Sequence, residues 1–441
     1  MLLQNWWYTT LLGVAGPIEP PLAADVKADV VVVGAGMAGL SAALRLAESG
    51  HDIVLIDRNI CGGSTTGKSA GFLTPDSELE LSQILRRFGL AGARHLWDVP
   101  MHGIDLITST VRKYEIACDL QRQDSLFLAN DHSGADDVRE EVAARKQLGY
   151  PVTEYSAAQV ADVVGSDQFH GGVRYSGTYG IDALRYCQGV KRVLLDRGVR
   201  IFESTEAHSI DGHTVRTHGG SVTADQIVVC ADGLSSSLCR YADYVSHAET
   251  YLTISAPLTD RDVKALFPGD PLQCWGSELI YSYWRLTGDQ RILLGGGGLF
   301  STYVRNAITP PGAAERVVQK FREKFPALAG IEFLQYWPGL IDTTRDLFPT
   351  IVCDPKSPWL QFVLGCVGLP WAAFCGDFVA RHALDTESQT DHILYDFFRP
   401  DRGFLMPLWT ERLLGKPIVF ALNNAWAKYY QVDRKAKRSP A

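Results

Sequence analysis

The sequence predicts a mixed α/β protein: a parallel, helix-flanked unit of Rossmann type joined to an antiparallel sheet. Three observations predict it. A βαβ pattern opens at Asp29, short alternating strands fill residues 251–298, and strand-to-helix texture returns between Ile351 and His382.

The opening unit starts with Val30, Val31, Val32 and Val33, an unbroken β-branched run of the kind found in strands buried on both faces. Gly34-Ala35-Gly36-Met37-Ala38-Gly39 follows, then a helix over 40–49 that Gly50 terminates. A second strand, 53–56, ends at Asp57. The small-residue run from Gly62 to Gly71 cannot build a core and reads as a loop held close to something. Helices are predicted over 78–88, 90–114, 136–147 and 183–196, with strands over 126–129, 198–202 and 224–230. The antiparallel stretch has strands over 251–256, 278–286 and 291–294. A helix over 312–325, strands at 351–352 and 362–364, and a helix over 371–382 follow.

The 441 residues allow two to four domains. With 46% hydrophobic and 21% charged residues, the chain is neither disordered, collagen-like nor a coiled coil. A net charge of −8 argues against a nucleic-acid partner, and the basic run 434–438 reads as a solvated tail. Nine scattered cysteines form no C-x-x-C pair, so no metal site is expected and a reduced setting is. No Lys or Arg precedes Lys27, so the apolar N-terminus lacks the charged region of a signal peptide. No segment offers the roughly 18 apolar residues of a membrane span. A cytoplasmic enzyme without an integral membrane segment is expected.

A lone Gly-x-Gly-x-x-Gly is a weak signal. Here it follows a buried strand, opens a helix and has an acid at the end of the next strand, a context that makes it a dinucleotide fingerprint. Gly34 makes the tight turn, Gly36 admits a pyrophosphate and Gly39 allows close helix–strand packing. The helix N-terminus favours phosphate. Asp57 is placed to accept from a ribose hydroxyl. The Gly/Ser/Thr/Lys loop after Asp57 fits a flavin ring better than a nicotinamide.

With these residues in place, the chain resembles the D-amino-acid-oxidase-type flavoprotein family, which includes glycine, sarcosine and γ-glutamylputrescine oxidases. The likeness runs from about Ala28 to Asp385. It rests on 29–57, on the loop 62–73, on 201–207, on Cys230-Ala231-Asp232-Gly233, and on 339–342 with Phe348-Pro349 and the closing segment 365–376. Trp6-Trp7-Tyr8 leans towards the γ-glutamylputrescine oxidase branch. The resemblance implies a glutathione-reductase-like FAD domain, discontinuous over 28–95, 150–245 and 335–385, and an antiparallel substrate domain over 96–149 and 246–334. Residues 1–27 and 386–441 become extensions, the second packing on the FAD domain. The aromatic stretch 404–430 within it is also readable as an amphipathic surface, though Pro407 and Pro417 prevent one continuous helix. Expected FAD contacts are Gly34, Gly36, Met37, Ala38, Gly39, Asp57 and Arg58. They continue through Ser64, Thr65, Lys68, Ser69, Ala70 and Gly71 to Ala207, Ala231, Gly233, Gly365, Gly368 and Leu369.

The resemblance implies oxidation of an amine or amino acid at a carbon bearing nitrogen, with hydride passing to FAD and the imine then hydrolysed. Dioxygen or another acceptor reoxidises the flavin. Tyr281, Tyr283 and Arg285 alternate along one predicted strand and so share a face. Arg285 could pair bidentately with a substrate carboxylate and the tyrosines could wall an amine pocket. The competing reading is an ordinary strand face, with Trp284 turned to the core. Lys68 could stabilise negative charge on reduced flavin, or be a solvated loop lysine. Arg345 and Trp371 are further substrate-contact candidates, Trp371 because Val367-Gly368-Leu369-Pro370-Trp371 replaces the family's usual Gly-His-Gly. Backbone N–H groups from Gly365 to Gly368 should lie near the flavin carbonyl that becomes anionic on reduction. No Cys lies in 340–347 and no His near Lys68, so FAD is expected to be non-covalent. The stretch Arg291-Ile292-Leu293-Leu294-Gly295 lacks the lysine that helps dioxygen react in some relatives, which leaves oxidase or dehydrogenase open. A hydroxy-acid dehydrogenase and a flavin-binding accessory subunit are the alternatives.

Overall fold

Four consecutive valines form the middle of a parallel sheet because nothing in that run needs water. In the computed structural model the strand Val26–Val33 pairs in parallel with Ile53–Ile56 on one side and Ser221–Val229 on the other. Val30 to Val33 are all buried. Arg200–Phe202 extends the sheet beyond Ile53–Ile56, and Leu360–Leu364 pairs in parallel with Ser221–Val229. The structure describes residues 1–402 apart from 15, 77, 234–237, 240, 298–310, 354–355 and 401, together with 409–415, 418–419 and 422.

The opening helix, Met37–Glu48, lies against the closing helix, Leu369–Ala383. They approach so closely that a Cβ on Gly376 would stand 1.9 Å from the Ala38 carbonyl oxygen. The first and last parts of the unit are therefore locked together through a position only glycine can fill.

The second sheet has nine strands among the described residues. Their order is Leu2–Leu3, Phe333–Thr344, Val245–Ser255, Ile292–Gly296, Tyr283–Leu286, Leu272–Gly276, Asp124–Leu128, Gly171–Tyr175 and Thr153–Ser156. One face is covered by the helix Pro311–Lys324, with Trp284, Leu286, Ile292, Leu294 and Phe321 in one apolar cluster. Trp284 is thus the core residue its alternation suggested. The strand's other face carries Tyr283.

Three local expectations change. The helices expected over 78–88 and 90–114 join as Leu81–Lys113, kinked at Gly89, whose φ of 67° interrupts the helical backbone. The strand expected over 278–286 shortens to Tyr283–Leu286, and an additional strand, Leu272–Gly276, precedes it with Tyr281 in the connection between them. The boundary expected at 150 also shifts, because Thr153–Ser156 and Gly171–Tyr175 pair into the nine-stranded sheet. The N-terminal extension joins that sheet through Leu2–Leu3. Most of 404–430, and the tail 434–438, lie outside the described residues. Among those described, no helix is long and apolar enough to cross a membrane.

Candidate active site

The glycine turn builds a cradle. Gly34 has φ +100°, and a Cβ there would stand 2.5 Å from the Cys230 carbonyl oxygen. A Cβ on Gly39 would lie 1.8 Å from the Gly34 carbonyl oxygen, the helix–strand approach its position in the motif predicts. Gly36 caps the opening helix with no side-chain hydrogen bond. The next N–H, Met37, donates to Thr66 Oγ1 at 3.0 Å. Thr66 therefore ties the loop to the helix N-terminus, a role sequence reasoning missed.

Two cavities open around this turn. One, of about 280 Å³, is lined by Gly34, Asp57, Arg58, Ser64, Ala207, Ala231 and Gly233. The other, of about 260 Å³, is lined by Met37, Ala38, Lys68, Ser69, Ala70, Gly71, Gly365, Gly368 and Leu369. Gly36, Thr65, Thr66, Cys230 and Asp232 border both. The two form one elongated groove across the helix N-terminus, the shape an extended dinucleotide requires. All the expected cofactor residues line it except Gly39, whose part is packing.

Asp57 is buried at the end of its strand. Its Oδ2 accepts from Ala35 N at 2.6 Å and its Oδ1 from Asn59 N at 2.7 Å. Burial still raises its pKa, against those two hydrogen bonds and nearby Arg58. Asp342 accepts from Gly233 N at 2.7 Å through Oδ2 and faces His247 Nδ1 at 2.7 Å through Oδ1, which fixes the 230–233 segment. Asp232 is pushed up to about 7, first by burial and then by the Asp342 charge.

The flavin loop is held from outside by the N-terminal extension. Asn5 Nδ2 donates to Gly67 O at 2.7 Å, Trp7 Nε1 to Ser69 O at 2.8 Å and Tyr8 Oη to Gly63 O at 3.0 Å. Trp337 Nε1 donates to Lys68 O at 3.0 Å. Nothing in the composition of residues 1–12 announces this; only the cluster of side-chain donors hints at it.

The nine-stranded sheet supplies the opposite wall with Thr250, Leu252, Trp275 and Tyr283, and the connection before Tyr283 adds Tyr281. Tyr283 Oη lies 2.7 Å from Thr250 Oγ1. Burial pushes the Tyr283 phenol up to about 12, and raises Tyr281 well above its usual value with Glu78 and Tyr283 beside it. Both are neutral groups. Lys68 lines the same cavity.

Three expected substrate contacts are corrected. Arg285 is fully buried, and its guanidinium donates to the carbonyls of Ala70 at 2.7 Å, Ile181 at 2.7 Å and Leu286 at 3.1 Å. Desolvation brings its pKa down to about 10. It braces the flavin loop and has no face left for a carboxylate. Arg345 is buried and pairs with Glu411 at 2.6 Å, anchoring the C-terminal helix Trp409–Leu414 instead. Trp371 is buried against Phe348 with its Nε1 on Pro75 O at 3.2 Å, while its neighbours Leu369 and Ala372 line the cavity.

Known proteins share this fold. A glycine oxidase structure from Geobacillus kaustophilus superposes with a TM-score of 0.74 at 17% identity, covering 86% of this chain and 99% of that one. In sequence, gamma-glutamylputrescine oxidoreductase of Escherichia coli (strain K12) is 27% identical over 334 residues, 74% of this chain and 76% of that protein. The probable oxidoreductase OrdL of Haemophilus influenzae is 25% identical over 363 residues, 79% of this chain and 80% of its own. The family described as DAO, FAD dependent oxidoreductase, matches residues 29–382. That span runs from the valine strand through the closing helix, and the chain belongs to this family of FAD-dependent oxidoreductases.

Proposed function

We propose that the protein oxidises the C–N bond of an amine or amino acid to an imine, which water then hydrolyses. FAD, when bound, accepts the hydride. The observation that carries this reading is the wall facing the flavin loop, where neutral Tyr281 and Tyr283 stand with Trp275 as aromatic faces for a nitrogen substrate; the likeness to gamma-glutamylputrescine oxidoreductase supports it. An amine that arrives unprotonated brings its own lone pair and needs only to be oriented.

Each part of the site then has a task. Asp57 keeps unused lone pairs on both oxygens for a ribose hydroxyl, since each carboxylate oxygen can accept twice. The N-terminus of the opening helix takes the pyrophosphate. Lys68 stands where it can stabilise anionic reduced flavin, with the backbone from Gly365 to Gly368 as a second source of positive potential. FAD is held without a covalent bond: the lining thiols Cys230 and Cys366 are both raised by burial, Cys366 foremost by its hydrogen bond to Cys375, and are poor nucleophiles. Dioxygen or another acceptor completes the cycle.

The test is an anaerobic spectral titration of the purified holoenzyme with amines, amino acids and hydroxy acids. Bleaching by an amine or amino acid is the expected result. Bleaching by a hydroxy acid alone would overturn the reading. Readmitting air then separates oxidase from dehydrogenase.

A further inference from the structure

The cavity's ionisable side chains are one-sided. Among the described residues lining it, six are acidic (Asp76, Glu78, Glu80, Asp137, Asp232 and Glu278) and one is basic, Lys68. Asp232 and Lys68 belong to the dinucleotide-binding segments, and the other five acids do not. They come from residues 76–80, from the helix His132–Leu148 and from the connection after Leu272–Gly276. An α-amino acid needs a cation for its carboxylate, and the two arginines that sequence nominated are committed elsewhere.

The acids stand among aromatic rings. Trp275 Nε1 donates to Glu80 Oε1 at 2.9 Å and holds that carboxyl against the indole. Phe127 and Tyr175 pack against Trp275 with centroids 6.4 and 6.2 Å away. Tyr281 and Tyr283 are 5.9 Å apart, and Phe72 meets Tyr283 edge-on at 5.7 Å. Glu278 Oε2 is sealed from solvent and accepts no hydrogen bond among the described residues. A buried carboxylate oxygen without a donor is costly unless something supplies one. Arg145 is the nearby cation, at 3.2 Å from Asp76 and 2.7 Å from Glu141, but it lies behind Asp76 and lines no part of the cavity.

Carboxyl groups fringed by aromatic faces form a receptor for an ammonium group, and an arriving cation favours the ionised form that burial opposes at Glu80 and Asp76. Building on the C–N reading above, we infer that the substrate is a linear α,ω-diamine or polyamine without a carboxylate, bound with the reacting nitrogen unprotonated and the far nitrogen as ammonium. One nitrogen is oxidised beside the flavin loop and the second ammonium is received by Glu278, Glu80 and the Trp275–Tyr281 wall. Glu278 and Glu80 are specificity residues here, distant from the reacting carbon.

The test compares equal-length series on the holoenzyme: diaminopropane to diaminohexane, the matching n-alkylamines and the matching ω-amino acids, with glycine and sarcosine as α-amino acids. Anaerobic flavin bleaching shows which compounds reduce the enzyme, and steady-state turnover with an added electron acceptor gives kcat and KM. The best diamine should exceed its monoamine by about tenfold in kcat/KM, chiefly through KM, and its ω-amino acid by more. Glu278→Gln should shrink the diamine-to-monoamine ratio about tenfold, and Glu278→Lys should move preference towards the ω-amino acid. An α- or ω-amino acid that outperforms every diamine would overturn the inference and leave C–N oxidation standing. A ratio unmoved by both Glu278→Gln and Glu80→Gln would overturn it too. Bleaching by no nitrogen compound would sink the C–N reading first.

Discussion

Arg285 Nε donates to the backbone carbonyl of Ala70 at 2.7 Å, so a strand of the large sheet holds the flavin loop by its main chain. Gly71 and Gly180 make room for the guanidinium, since a Cβ on either would come within 2.8 Å of it. Arg285→Ala would leave the Ala70 and Ile181 carbonyls short of a donor in a buried space, at about 1 kcal/mol or more each, while Leu286 O keeps Gln123 Nε2 at 2.8 Å. The expected result is a loss of about 2 kcal/mol or more in denaturant melts, with weaker FAD retention. A stable variant whose only change is a raised KM for acidic substrates would return Arg285 to the substrate site.

A second buried arrangement governs acid stability. Asp346 meets Arg402 at 2.8 Å and Arg87 at 3.1 Å, tying the 344–348 turn to both the long helix and the C-terminal segment. Burial alone would raise its pKa, but the two guanidinium groups win and hold it well below the ordinary value of 3.8. A carboxylate whose folded pKa is depressed contributes stability that is fully present above its unfolded pKa. That stability is lost as pH falls below about 4. Thermal melts from pH 7 downward should show this loss, and Asp346→Asn should lower stability at pH 7 by about 3 kcal/mol while flattening the acid limb. An unchanged acid limb in the variant would assign it to other carboxylates.

What sequence revealed and what it hid divide along chain distance. The valine strand, the glycine turn and Asp57 lie within 29–57, where each residue's neighbours are its sequence neighbours. The closing segment was legible for the same reason, as strand, glycine turn and helix in succession. Alternation correctly put Trp284 in the core. It could not say what Arg285 would meet, because Ala70 and Ile181 are 215 and 104 residues away. Trp371 answers to Pro75 across 296 residues. The acidic wall was hidden differently: the pattern placed Glu78 and Glu80 in a helix, whereas Asp76, Glu78 and Glu80 precede it in a loop, and loop carboxylates ordinarily face water.

Tyr283 separates an orienting role from a proton-transfer role. Its phenol is pushed up to about 12 by burial, although its hydrogen bond with Thr250 favours the ionised form. It should therefore stay protonated across the working pH range. Tyr283→Phe should lower kcat/KM by less than about tenfold and leave the ascending limb of the pH profile where it was. That limb should instead follow the substrate amine. A limb that disappears in Tyr283→Phe would make the phenol the base.

The N-terminal clamp yields the last prediction. Asn5, Trp7 and Tyr8 donate to Gly67, Ser69 and Gly63, three carbonyls of one loop that lines the cofactor groove or borders the residues that do. A loop held from behind keeps its front face preorganised, and the ordering cost is met on folding rather than on FAD binding. Trp7→Phe is the sharpest probe. It keeps an aromatic ring against Trp337, whose centroid is 6.4 Å away, and removes only the indole donor to Ser69. One neutral hydrogen bond contributes about 1 kcal/mol, so the Kd for FAD should rise about fivefold. Removing Asn5, Trp7 and Tyr8 donors together, as Asn5→Ala, Trp7→Phe and Tyr8→Phe, should raise it by about a hundredfold if their effects add. Fluorescence titration of apoprotein with FAD reads both. An unchanged Kd in the triple variant, with the fold intact by circular dichroism, would show that Trp337 and Arg285 hold the loop without help from the N-terminus.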